Sequence, residues 1–105
     1  LYRRGVEASL LPTTVETLQA ALGWYDAALE LDPDYAAALA GKCWAFVDLY
    51  PETDDAQYID AAEQACRRAL QLNPNLDVVH TALGELYMAT GRHGRAEESF
   101  AAAHA

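Results

Sequence analysis

The residues of this chain that could support redox or metal chemistry include two cysteines, Cys43 and Cys66. They show neither a C-x-x-C motif nor the paired spacing of a zinc site. Both fall on predicted apolar helix faces, where a free cysteine behaves as a small hydrophobic side chain. We therefore expect two buried free thiols in a reducing compartment rather than a disulfide or a redox site. Two facing helices could nevertheless bring these thiols close together.

A metal site is a second candidate, because four acids occur near the centre of the chain: Glu52, Asp54, Asp55 and Asp60. They lack the alternating oxygen ligands and the glycine of a calcium loop. Carboxylates at the start of a helix are also favoured by the helix dipole without any metal. His80 has no second histidine or acid at ligand spacing, so we expect it to be a packing residue. The sequence therefore predicts no metal and no cofactor.

Nucleophilic catalysis would need a base beside Ser9, Ser99 or a cysteine, and the sequence places none there. It contains no phosphate-cradling glycine loop and no nucleophile elbow. We predict that this chain is not an enzyme.

Charge and composition narrow the class of partner. The chain has 105 residues, of which 52% are hydrophobic, and its net charge of −9 opposes phosphate backbones and anionic lipid heads. Partners of the nucleic-acid and membrane classes are therefore disfavoured. No apolar run is long enough for a membrane span and no secretory leader is visible, so we expect a cytoplasmic protein.

A repeated string organises the chain. Ala-Leu-Glu-Leu-Asp-Pro at residues 28–33 returns as Ala-Leu-Gln-Leu-Asn-Pro at residues 69–74. Alanines and one larger residue precede each proline at identical offsets, and a third set with related spacing occupies residues 96–103. Matches at fixed offsets are typical of an array of stacked helices.

Capping and breaking residues divide this array into six predicted helices. A short first helix over residues 1–11 ends at Pro12, and Thr13 with Glu16 reads as the capping box of the second, which ends at Asp32-Pro33. The third begins at Asp34 or Tyr35 and is broken by the turn-forming residues 50–55. The fourth, fifth and sixth are expected from about residues 55, 77 and 94, with Asn73-Pro74 and Gly91 between them.

The C-terminal half carries a recognisable motif: Leu83-Gly84, Tyr87, Gly91, Ala96, Phe100 and Ala103. This spacing resembles the tetratricopeptide repeat family, with Pro33 and Pro74 at the family's repeat-closing position. The resemblance implies an all-α, right-handed solenoid of about six helices in antiparallel pairs. It implies a single array with repeats at about residues 1–35, 36–76 and 77–105, which we expect to be part of a longer protein.

The chain departs from the family pattern in the second repeat. Pro33 and Pro74 lie 41 residues apart, against a family repeat of about 34, and the surplus falls around Tyr50–Asp55. Lys42 stands where the family favours leucine, and its stem could lie along apolar surface with its amine in water. Cys43 stands where the family favours glycine or another small residue.

In this family the first helix of each pair lines a concave groove, so the resemblance also implies a site. Carried onto this sequence, the groove positions are Tyr2, Val6, Ser9, Ala40, Trp44, Val47, Asp48, Thr81, Glu85 and Met88. This surface is apolar with an acidic edge, which suits a peptide or partner helix with apolar anchors and a Lys or Arg. Some family members bind a chaperone's C-terminal carboxylate here, but Ala40 and Trp44 stand where that clamp needs polar groups. Trp44 could alternatively be buried by neighbouring helices.

The expected function is thus that of a protein–protein interaction scaffold. An alternative is a regulatory or self-association segment of a larger bacterial signalling enzyme or transcription regulator. A homodimer could form through the last helix, where Phe100 would lie on an uncovered face.

Overall fold

The computed structural model describes residues 2–9, 14–53 and 56–103, with side chains for residues 2–6, 14–50 and 56–103. These residues form six helices and no strand: α1 (Tyr2–Ser9), α2 (Val15–Leu31), α3 (Ala36–Thr53), α4 (Gln57–Leu72), α5 (Asp77–Ala89) and α6 (His93–Ala103). Consecutive helices pack as the pairs α1–α2, α3–α4 and α5–α6. The helices α1, α3 and α5 lie side by side, α3 touching both others. The predicted all-α repeat fold is confirmed.

The start of α2 differs by one residue from the predicted capping box. Thr14, in an extended conformation, is the N-cap, and its hydroxyl accepts from the N–H of Thr17 at 3.2 Å. The Thr17 hydroxyl in turn accepts from the N–H of Thr14 at 2.9 Å. The prediction of Thr13 with Glu16 was wrong because Thr14 and Thr17, each one residue further on, form the capping box instead. Thr13 itself lies outside the described residues.

The two copies of the repeated string form the same corner. Asp32 and Asn73 end α2 and α4, and both are extended, with ψ of 92°. Each side-chain oxygen accepts from the backbone N–H two residues on, at 3.2 Å in both corners. Aspartate and asparagine are interchangeable here because either offers that oxygen. The string therefore specifies the turn from one helix pair to the next.

The predicted break at residues 50–55 is corrected by the structure, because α3 continues through Pro51 to Thr53. Leu49 is fully buried and packs with Leu18 and Ala45, so burial stabilises the helix beyond Phe46. Partly buried Tyr58 of α4 packs against the same cluster. The surplus residues thus lengthen the second helix pair rather than form a separate loop; residues 54 and 55 lie outside the described part.

Each helix pair has one close approach at an equivalent position. A Cβ added to Gly5 would lie 2.6 Å from the Tyr25 ring, and one added to Gly84 would lie 2.5 Å from the Phe100 ring. A glycine thus lets an aromatic ring lie directly on the facing helix backbone. In the middle pair, a disulfide between Cys43 and Cys66 occupies this position, with Cα atoms 5.4 Å apart.

This disulfide corrects the prediction of free thiols. Both cysteines are fully buried, as expected, but they are bonded to each other. Sequence spacing could not show this, because the bond joins residues brought together by the packing of α3 on α4. The two facing helices do bring the two sulfurs together, which the sequence had left open as a possibility.

Lys42 keeps the register of α3 despite its charge. Its amine lies 2.7 Å from Asp26 of α2, and 5.8 Å from the centre of the Phe46 ring. The methylene stem of Lys42 therefore lies along apolar surface while its amine reaches the exposed carboxylate of Asp26, as the sequence predicted.

Candidate functional site

A cavity of about 230 Å³ opens on the layer that α1, α3 and α5 form. Its lining residues are mostly apolar: Tyr2, Val6, Tyr25, Ala37, Ala40, Gly41, Trp44, Val78, Thr81 and Ala82. Half of them are groove positions expected from the sequence, namely Tyr2, Val6, Ala40, Trp44 and Thr81. We call this surface, with the acids described below, the groove.

Aromatic side chains form one wall of the groove. The Tyr2 ring lies 5.8 Å from that of Tyr25 and 5.1 Å from that of Tyr35, both tilted. Burial, and to a smaller extent Tyr35, raises the pKa of the Tyr2 phenol above its usual value. The phenol therefore stays neutral at physiological pH and can offer a hydrogen bond beside an apolar surface.

The floor of this cavity is formed by small residues, whose short side chains leave it unfilled. Ala40 and Ala82 are almost fully buried, and neither extends beyond a methyl group. The space above Gly41 is taken by the Tyr25 ring. Any side chain at Gly41 would displace that ring, so this glycine is required by a close approach rather than by its backbone angles.

Two acids lie one helical turn beyond the cavity, Asp48 after Trp44 on α3 and Glu85 after Thr81 on α5. Asp48 is half-buried, and burial together with the charge of Glu85 raises the pKa of its carboxyl to about 6. Among the described residues, ion pairs form only between Lys42 and Asp26 and between Arg68 and Asp34. Two neighbouring carboxylates thus share the acidic end of the groove without a cation between them.

The remaining predicted positions lie differently. Val47 is 4% exposed and packs in the core around Cys43, so it supports the groove from beneath. Met88 is 48% exposed beyond Glu85, with its sulfur 3.3 Å from Nδ1 of His93. Ser9 ends α1, and its side chain lies outside the described part of the chain.

Five lining residues were not among the predicted groove positions: Tyr25, Ala37, Gly41, Val78 and Ala82. Tyr25 was assigned to the core stripe of α2, where it is indeed 2% exposed, yet its ring also forms part of the cavity wall. Val78 is 39% exposed on the first turn of α5. Its spacing of three residues from Thr81, which places both on one helical face, was the signal available in the sequence.

Trp44 serves both interpretations considered for it. It is half-buried against the core clusters of the second helix pair and also faces the cavity. Because its body is held by neighbouring helices, its exposed part is held in a fixed position at the cavity.

Of the other candidate ligands, His80 makes a structural contact. Nε2 of His80 donates to the carbonyl oxygen of Pro74 at 2.6 Å, so this histidine ties the repeat corner to α5. Among the residues that the structure describes, no group of three His, Cys, Asp or Glu side chains could hold a metal ion. The acids Asp54 and Asp55 lie outside those residues, as does the side chain of Glu52.

Comparison with known proteins bears on the C-terminal half. The sequence model of the tetratricopeptide repeat matches residues 55–104. No curated protein and no solved structure matches the chain significantly. The matched segment covers α4, α5 and α6, and the equivalent glycine contacts and corners extend the same pattern to the first half. Residues 55–104 therefore belong to the tetratricopeptide repeat family.

Proposed function

We propose that the groove binds a peptide or partner helix that presents an apolar anchor followed by a lysine or arginine. Repeats of this family generally mediate protein–protein interactions, and the family is typically non-catalytic. The observation that carries the proposal is the apolar cavity beside the unpaired Asp48–Glu85 acids.

The size of the cavity favours a side chain over a small-molecule ligand. Its volume of about 230 Å³ lies below the 300–1,000 Å³ that is usual, roughly, for ligand pockets. It is open to the groove and lined mainly by aromatic rings and methyl groups, with the exposed hydroxyl of Thr81 and the partly buried phenol of Tyr2. An aromatic or aliphatic anchor on a peptide fits this description.

The acids specify the second part of the partner. A cation placed between Asp48 and Glu85 would relieve their mutual repulsion and the cost of the half-buried charge. The distance from the anchor follows from helix geometry, since each acid lies about 6 Å along its helix from a cavity residue. The chain's net charge of −9 adds long-range attraction for a basic partner.

Selection from a random peptide library displayed on phage, with the whole chain immobilised, tests this proposal. We expect enriched peptides to share an apolar residue close to a Lys or Arg. Their affinities would then be measured by fluorescence anisotropy against the protein and its variants.

Three variants localise the binding. Thr81→Arg places a long cation over the cavity from an exposed position, and Trp44→Ala removes the indole ring that lines the cavity from α3. We expect each to weaken binding by about tenfold or more, as at an interface hot spot. Glu85→Lys is expected to weaken binding about fivefold, because it replaces attraction by repulsion.

Glu97→Lys is the matched control, since it makes the same charge change at an exposed position of α6 that lines no cavity of the groove. Circular dichroism would verify that each variant folds. If Thr81→Arg and Glu85→Lys bind the selected peptides as tightly as Glu97→Lys does, the groove is not their site.

The alternative of a regulatory or self-association segment stays a prediction. Phe100, expected on an uncovered face, instead packs over Gly84 within the last helix pair. Sedimentation at several protein concentrations would test for a dimer.

Location is a separate question. Within the described residues, no helix is long and apolar enough to cross a membrane. The cytoplasmic location stays a prediction that the cysteines no longer support, since disulfides persist chiefly in oxidising compartments.

A further inference from the structure

A second cavity, of about 180 Å³, gathers three of the chain's seven basic residues. Arg67 comes from α4, Arg92 from the corner before α6, and Arg95 from the first turn of α6. None of the residues that line this cavity lines the groove. We call it the arginine cavity.

The backbone at the corner is held in place. Gly91 adopts a positive φ of 77°, and the N–H of Arg92 donates to the carbonyl oxygen of Tyr87 at 2.7 Å. This is the hydrogen bond of a Schellman-type helix end. Arg92 therefore starts from a defined position at the mouth of the cavity.

Positive side chains outnumber negative ones in the lining of this cavity. Glu63 is the one acid that lines the cavity. In the described part of the chain, neither Glu63 nor any of the three arginines belongs to an ion pair. The sequence repels anions as a whole, so a local excess of positive charge is a departure from its overall character.

The position of Arg95 adds to this excess. The first turn of α6 contains no acid, although acids are the residues that a helix N-terminus favours. Instead it carries Arg95, whose charge has the same sign as that end of the helix dipole. An anion bound at this corner would be attracted by both.

The floor of the arginine cavity is apolar. It is formed by Leu70 of α4 and by three residues of α5, namely Leu83, Leu86 and Tyr87. An adjoining cavity of about 430 Å³ shares Leu70, Leu83, Tyr87 and Arg95, and Glu98 also lines it. A ligand held here can therefore place an apolar body on the floor and an anionic group among the guanidinium groups.

We propose that the arginine cavity is a second binding site, for an oxyanion carried on an aromatic or other apolar body. Arginine suits such groups because its planar fork can donate two hydrogen bonds to a carboxylate or a phosphate. The anion could be a carboxylate or a phosphate monoester, and the two share this chemistry. The site is independent of the groove, because it lies on other residues.

Titration of the full chain, followed by amide NMR shifts, tests the site. The probes are phenyl phosphate and benzoate, with phenol as the neutral match of the aromatic body. For so small a ligand we expect saturable binding with a Kd of the order of 1 mM. The NMR shifts should concentrate on residues 83–95. Added salt should weaken binding of the anion, because the three arginines are exposed and their charges are screened. The probe that binds more tightly identifies the anion class.

Arg95→Gln and Arg67→Gln are expected to weaken binding of the tighter probe about threefold to tenfold. Arg3→Gln is the matched control, since it removes the same charge from an exposed residue of α1. The proposal is overturned if neither anion gives saturable shifts, if phenol binds as well as the anions, or if Arg3→Gln weakens binding as much as Arg95→Gln. The result of this titration does not depend on whether the groove binds a peptide, because the two cavities share no lining residue.

Discussion

Asp48 shows how a single residue can link the stability of this protein to its proposed function. Its carboxyl is half-buried and faces the charge of Glu85, which together raise its pKa to about 6. At neutral pH the folded protein therefore holds a charge that burial and repulsion both disfavour. Unfavourable charges of this kind are tolerated at functional sites. In the proposed function, the basic partner would supply the cation that Asp48 lacks.

Stability should depend on pH through this residue. Because the folded pKa of Asp48, about 6, exceeds its usual value of 3.8, the folded state binds more protons between these pH values. Protonation of Asp48 therefore favours the folded state at low pH, and the free energy of unfolding falls as pH rises from about 4 to 6. Asp48→Asn should raise the free energy of unfolding at pH 7 by roughly 1 kcal/mol, the value being reduced for solvent screening. Urea denaturation from pH 4 to pH 7 measures this.

The control is Asp60→Asn, at an exposed position of α4. An increment for Asp48→Asn that is the same at pH 4 and pH 7 would contradict this explanation. Binding of a selected basic peptide should have the opposite trend and strengthen as pH rises through 6, since the cation prefers the ionised carboxyl.

At the scale of helices, each pair is held at one close approach. Gly5 under Tyr25 and Gly84 under Phe100 bring helix backbones together through an aromatic ring, and the Cys43–Cys66 bond replaces this arrangement in the middle pair. The first of these contacts also orders the groove, because Tyr25 is a wall of the cavity. Packing within the pairs thus positions the surface between them.

Gly84→Ala should destabilise the protein, because the new methyl would lie 2.5 Å from the Phe100 ring and force it to move. We expect a net loss of about 1 to 2 kcal/mol, after the gain in helix propensity partly offsets the overpacking. Thermal or urea denaturation measures it.

Gly23→Ala provides the comparison, since that glycine lies within α2 with nothing within 4 Å of the added methyl. This change should stabilise the protein by up to about 1 kcal/mol. Equal effects of the two substitutions would show that the contact with Phe100 does not limit the space at Gly84.

At the scale of the whole molecule, three stacked pairs form one compact body of 32 × 29 × 22 Å, with a radius of gyration of 12.6 Å. The middle pair contacts both others through α3, so it is the part on which the array depends. The disulfide lies within that pair and closes the chain between residues 23 positions apart. Loss of the disulfide should therefore destabilise the whole array, which unfolds cooperatively, rather than one helix alone.

Replacing Cys43 and Cys66 together by alanine should lower the free energy of unfolding by about 3 kcal/mol, chiefly because the unfolded chain regains the entropy of the open loop. Denaturation of the oxidised protein, the reduced protein and the double variant measures this loss. Since both cysteines are fully buried, dithiothreitol should reduce the native protein slowly and the unfolded protein quickly. Equal stability of the oxidised and reduced forms would contradict the assigned role of the bond.

The sequence by itself determined the repeat, the helix order and the corners, because these depend on local chemistry. Asp32-Pro33, Asn73-Pro74 and Gly91 act on the backbone within a few residues, and periodicity indicates which face is buried. Half of the cavity lining was predicted from the groove positions that the family resemblance implies.

Only the tertiary structure decided what depends on residues far apart in the chain. The burial of Leu49 on Leu18 carries α3 past Pro51, and the packing of α3 on α4 joins Cys43 to Cys66. In the same way, the Tyr25 ring reaches the groove from α2 only because Gly41 leaves it room. The arginines from α4 and the α6 corner share one cavity although no local pattern relates them. Such encounters are set by packing between helices, which a linear pattern does not specify.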